Sequence, residues 1–206
     1  MNNLAFPVNI KTVMMQDDTW ELYYPTLTCL ENKRVMKQLN EALYQDMRHL
    51  ILEQFNEQDA KDFAQMIGHY ELKTNERNLI SLTQSNYAIR PQAANGLTLM
   101  KACTANIKTG EVFQLKDLFK KSSNYVEVLS NHIRKQMKKR AIPNLDNAVT
   151  IEKNQDFYVA DKCLIIFFQE LEITPHYVGI PVFPISVFEL EDIINESGPL
   201  ATMLPS

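Results

Sequence analysis

Glu170, Glu172 and His176 stand close together in QELEITPHYVGIPVFPIS, Gln169 to Ser186. On an extended segment, residues two apart point to one face, so both carboxylates and a nearby imidazole could exchange protons in general acid–base work. That defines one candidate chemistry, a small carbohydrate-acting hydrolase. The stretch supplies no nucleophile, metal set or anion hole beside it, and two acids at the exposed end of a buried strand explain the same residues.

Other chemistry finds less support. His49, His69, His132 and His176 show no His-x-x-x-His spacing, and Cys29, Cys103 and Cys163 form no Cys-x-x-Cys, so no metal ligands are assigned. Five scattered glycines make no phosphate-cradling loop, and Gly-x-Ser-x-Gly is absent. No catalytic residue and no cofactor is assigned. TLTCLE, KACTAN and DKCLII set each cysteine in apolar surroundings, which is expected of reduced, packed thiols.

The same stretch has a second use. Pro175, Pro181 and Pro184 fix φ at three points and Gly179 opens a conformation closed to other residues. Together they preset a loop presenting His176, Tyr177, Ile180 and Phe183 at low entropic cost, suited to binding a protein or a saccharide. A cover over the hydrophobic sheet would use the same residues.

The surrounding elements read as follows. WELYY, Trp20 to Tyr24, is a short aromatic strand stopped by Pro25. Asn32 caps a long helix whose Met36, Leu39, Leu43, Met47, Leu50 and Phe55 form one apolar stripe. From His69 to Gln114 the period becomes two, with breaks at TNERN and RPQAANG, and Gly110 in KTGE turns a hairpin between Thr98–Ile107 and Val112–Leu115. Ser122 or Ser123 caps a second helix carrying Tyr125, Val126, Leu129, Ile133 and Met137 on one face, and its terminal RKQMKKR suits the helix dipole.

Asp156–Asp161 and Cys163–Glu170 read as strands joined near Lys162, the second apolar on both faces and so central to its sheet. Ser186 with Glu189 has the spacing of a capping box, and Ile185 with Leu190 that of a hydrophobic staple, for a short helix through Asn195. The expected fold is α+β: an antiparallel meandering sheet against two longer helices and a short C-terminal one. Residues 1–115 and 116–206 form two closely packed subdomains.

With 206 residues and 45% hydrophobic content the chain can bury a full core. A net charge of -4, with lysines scattered among acids, offers no surface for a phosphate backbone, so nucleic acid is not an expected partner. No stretch approaches the roughly 20 apolar residues of a membrane span, and the start lacks a signal-peptide pattern. A cytoplasmic location is expected of the chain as it stands; the alternative is an extracytoplasmic domain cut from its anchor.

LKTNERNLISLTQSNYAIRPQAANG, IKTGEVFQLKDLFKKSSNYVEVLSNHIRKQ and NQDFYVADKCLIIFFQELEITPHYVGIPVFPISVFEL resemble a bacterial domain family. It is similar to the extracytoplasmic part of RsiV-type, lysozyme-sensing anti-sigma factors, a domain pair also found beside the catalytic domain of the peptidoglycan deacetylase PdaC. The resemblance implies an α+β fold and a noncatalytic sensing or protein-binding role. It implies a protein partner, lysozyme-like or other, or a peptidoglycan fragment, and it marks Asn95, Glu172, Pro175, His176, Tyr177 and Gly179 as contact positions. Where the family tends to glycine-alanine-histidine after its long strand, this chain has Gln92-Ala93-Ala94-Asn95-Gly96. Leu171 and His176 stand where it tends to tyrosine.

Overall fold

A computed structural model describes residues 8–145 and 149–204, and the chain divides into two units, Met1–Val112 and Phe113–Ser206. The first unit runs β1 (Asn9–Gln16), β2 (Trp20–Thr28), α1 (Lys33–Glu57), β3 (Gln65–Glu76), β4 (Leu79–Ile89) and β5 (Leu97–Asn106), with the strands in that order across one sheet. Asn32 caps α1, its Oδ1 accepting from the Arg34 and Val35 N–H groups at 3.1 and 3.2 Å. Val35, Leu39, Leu43, Met47 and Leu50 are buried, while Met36 and Phe55 sit at the stripe's margin. The last buried place belongs to Gln54, whose amide donates to the Asn86 and Leu97 carbonyls at 2.6 and 3.0 Å.

The sheet is mixed rather than wholly antiparallel. β3, β4 and β5 meander as expected, but α1 carries the chain across to lay β3 parallel to β2 at Trp20–Leu22. Pro25 does not stop β2. Leu27, two residues on, turns its N–H and C=O away from β1 to the Asn40 amide, and Pro25 shares that direction. Its missing N–H therefore falls on the side where β3 has already departed. Between β3 and β4, Arg77 and Asn78 have φ of 51° and 63°, the pair of left-handed residues a two-residue hairpin turn needs.

The expected Val112–Leu115 strand shrinks to one bridge, Ala105 to Val112. Asn106 Oδ1 gathers the Lys108 and Thr109 N–H groups, Gly110 turns at φ 80°, and the Gln114 N–H donates to Asp117 Oδ2 to start a 3-10 turn at Leu115–Leu118.

In the second unit α2 (Tyr125–Arg140) precedes β6 (Phe157–Ala160), β7 (Cys163–Phe167) and β8 (Val182–Ser186), an antiparallel sheet with β7 central. The position before α2 is Asn124, because the Ser123 hydroxyl is spent on the Lys120 carbonyl at 2.6 Å. Leu164, Ile165, Ile166, Phe167 and Phe168 are all buried, each contributing about 1.5–3 kcal/mol. Gln136 and Arg140 tie α2 to the Pro184 and Val182 carbonyls of β8.

The C-terminal helix is one 3-10 turn, Val187–Leu190. Ser186 Oγ accepts from the Phe188 N–H at 3.4 Å, but the Glu189 carboxylate lies 3.9 Å from His132 Nδ1 rather than reaching back to complete a box. Beyond it the backbone pairs across the chain, Lys120 N–H to Ile193 O and Asn195 N–H to Leu118 O, and those bonds replace helical ones. Of the thiols, Cys103 is buried and Cys163 half-buried; Cys29 is exposed, with φ 63°, contrary to the packed setting its neighbours suggest. No described helix is long and apolar enough to cross a membrane.

Candidate functional site

β7 ends at Phe167, and the chain then makes two successive turns before β8. In the first, the Glu172 N–H donates to the Gln169 carbonyl at 3.1 Å and Leu171 takes φ 69°. The Glu172 carboxylate folds back to accept the Gln169 N–H at 2.6 Å. Glu172 stays exposed as a residue, yet local crowding raises its carboxyl above the ordinary value. Desolvation is the main cause; the Gln169 N–H and Gln155 amide oppose it, and Asp156 and Glu152 add repulsion.

The segment is therefore not extended, and the expected shared face of Glu170 and Glu172 does not exist. Glu170 turns inward, its side chain 5% exposed, and its carboxyl group comes into close contact with His176 Nδ1. His176 remains 41% exposed at its side chain, so the imidazole stands between a buried carboxylate and solvent. Of the three candidate acid–base groups the structure joins two.

The second turn is a 3-10 helix, His176–Val178. Pro175 enters it at φ -59°, the value its ring presets, with ψ 152°, and the Val178 and Gly179 N–H groups close it onto the Pro175 and His176 carbonyls at 3.0 Å each. Gly179 leaves it at φ 71° and ψ -144°, a region almost confined to glycine. At its apex Tyr177 is 80% exposed. Phe183, expected on this loop, is instead wholly buried, edge-on to Phe168 at 5.9 Å with the Arg140 guanidinium 5.6 Å from its ring.

Pro175, His176, Tyr177 and Gly179 thus lie on one turn, with Glu172 on the turn before it. Asn95 is exposed on the loop between β4 and β5, in the other unit. Leu171, 52% exposed, occupies a left-handed position although a leucine carries no turn signal. A groove of about 420 Å³ at the end of α2, lined by Met137, Lys138, Ile142 and Val149 among others, contains none of these residues. Among the described residues no group of three or more His, Cys, Asp or Glu is arranged to hold a metal.

Residues 116–187 match the family described as protein of unknown function (DUF3298). The chain is 28% identical over 184 residues to the anti-sigma-V factor RsiV of Bacillus subtilis (strain 168), across 82% of its own length and 63% of that protein. It therefore spans less than two thirds of that relative. Its fold is shared with a DUF3298 protein from Bacteroides fragilis (TM-score 0.71, 10% identity, 98% of this chain and 99% of that one). A second, from Pseudomonas aeruginosa PAO1, gives a TM-score of 0.68 at 12% identity over 98% of both chains. Residues 116–187 are thus similar to the DUF3298 family, within a chain similar over most of its length to an anti-sigma factor of the RsiV type.

Proposed function

We propose that this chain is a noncatalytic sensor domain that binds a protein partner through the turn from Gln169 to Gly179. The observation that carries the reading is Tyr177, 80% exposed on a turn held by Pro175, Gly179 and the contact of His176 with Glu170. An aromatic ring held out in advance loses little entropy on capture, which is how exposed tyrosines become binding hot spots. The likeness to an anti-sigma factor supports a sensing role, and the sequence resemblance to lysozyme-sensing proteins makes a lysozyme-like protein the first partner to try, a peptidoglycan fragment the second. On this reading the domain works outside the cytoplasm. Asn95 enters it only as a position of the family's motif.

The hydrolase reading has less behind it, because Glu172 is occupied with the Gln169 N–H and Glu170 lies behind His176. Calorimetric titration with lysozyme, with soluble peptidoglycan fragments and with an unrelated basic protein tests the proposal. Lysozyme is expected to bind and the basic control is not. Tyr177→Ala is expected to weaken the complex about thirtyfold, the loss typical of a hot-spot ring. No lysozyme binding, or binding indifferent to Tyr177, would sink it.

A further inference from the structure

β1 is the outermost strand of its sheet, and its backbone directions are fixed at both ends. The Asp17 N–H donates to the Trp20 carbonyl at 3.0 Å, so Asp17 faces β2. Leu27, the partner of Ile10, gives its N–H and C=O to Asn40 and so faces away from β1, which sends Ile10 away from β2. Strand alternation between these points leaves the N–H and C=O groups of Ile10, Thr12, Met14 and Gln16 at the open edge. Among the described residues none bonds to them. The devices that usually blunt such an edge are scarce: β1 has no proline, no register shift against β2, and Lys11 as its one charge.

We propose that this edge pairs antiparallel with the same edge of a second copy of the chain, about a two-fold axis at Val13. Outward groups must meet outward groups, and the four outward residues are symmetric about Val13. That register alone uses all of them, setting Thr12 against Met14 and Ile10 against Gln16. It also sets Lys11 against Met15, so the strand's one charge faces a thioether rather than another charge. Met14 and Met15, 49% and 42% exposed, would be covered. An isologous contact of this kind closes on itself and stops at a dimer.

Sedimentation equilibrium of the intact chain over a wide concentration range is the test. The native chain is expected to dimerise. Met15→Lys places an ammonium opposite Lys11 at both ends of the ladder and should weaken the dimer; Met15→Glu places a carboxylate there and should tighten it. With two such pairs per dimer changed in opposite senses, they separate the dissociation constants by roughly fourfold to several hundredfold, at about 0.2–1 kcal/mol per cross-strand pair. Met15 is exposed, so both variants keep the fold. In a Cys29→Ser background, Val13→Cys should cross-link two copies on mild oxidation, since facing Cα atoms at a position without ladder bonds lie about 4.5 Å apart. A monomer at every concentration overturns the proposal. So does a dimer indifferent to both charges, which would have formed elsewhere, or an edge that pairs only with another protein.

Discussion

At Gly179 the constraint is the backbone itself. A methyl group there would meet nothing within 4 Å, so the residue is glycine because φ 71° with ψ -144° is closed to other side chains. Gly96 is the opposite case, where a Cβ would lie 2.4 Å from the Tyr87 ring. Gly179→Ala is expected to lower the unfolding free energy by about 1–3 kcal/mol in chemical denaturation. An unchanged midpoint would mean that the turn relaxes freely and is not the stiff platform described. Pro175 and Gly179 were legible in the sequence because their backbone limits travel with residue type. Leu171 at φ 69° and the inward swing of Glu170 were not, because both depend on how β7 ends against its neighbours.

Among the elements, α2 ends on a left-handed residue, Ala141 at φ 52°, whose N–H bonds back to the Lys138 carbonyl while Ile142 bonds to that of Met137. Such a helix end favours glycine, and the alanine holds it against a strain of about 1–2 kcal/mol. Ala141→Gly relieves that strain but gives up roughly 0.4–1 kcal/mol through a more flexible unfolded chain. The balance predicts a gain of about 0.5–1 kcal/mol, read as a rise in melting temperature; a fall would show that the alanine methyl packs. In α1 the helical period identified the buried face from Leu39 to Leu50. It missed Gln54, since a buried glutamine looks like a surface residue until the Asn86 and Leu97 carbonyls are beside it.

For the whole molecule, the three thiols report on burial. Cys103 is packed in the first unit with Leu39, Leu43, Ile80 and Leu82, and burial, with some repulsion from Asp46, pushes its thiol up to about 12. Burial also raises Cys163, reinforced by Asp161 and Glu189. A thiol reagent at neutral pH should therefore label Cys29 first, Cys163 slowly, and Cys103 only when the first unit unfolds, because thiolate is the reactive form. Native-state labelling of Cys103 as fast as Cys29 would contradict the core built around β5.

Residue order alone carries the α+β class, both long helices and the central place of β7. Each is written in periodicity or in residue types with fixed backbone demands. Tertiary structure decided the parallel pairing of β2 with β3, the burial of Phe183 and the separation of Glu170 from Glu172. Those depend on which strand edges and carbonyls come together across long stretches of chain, and residue spacing holds no record of that.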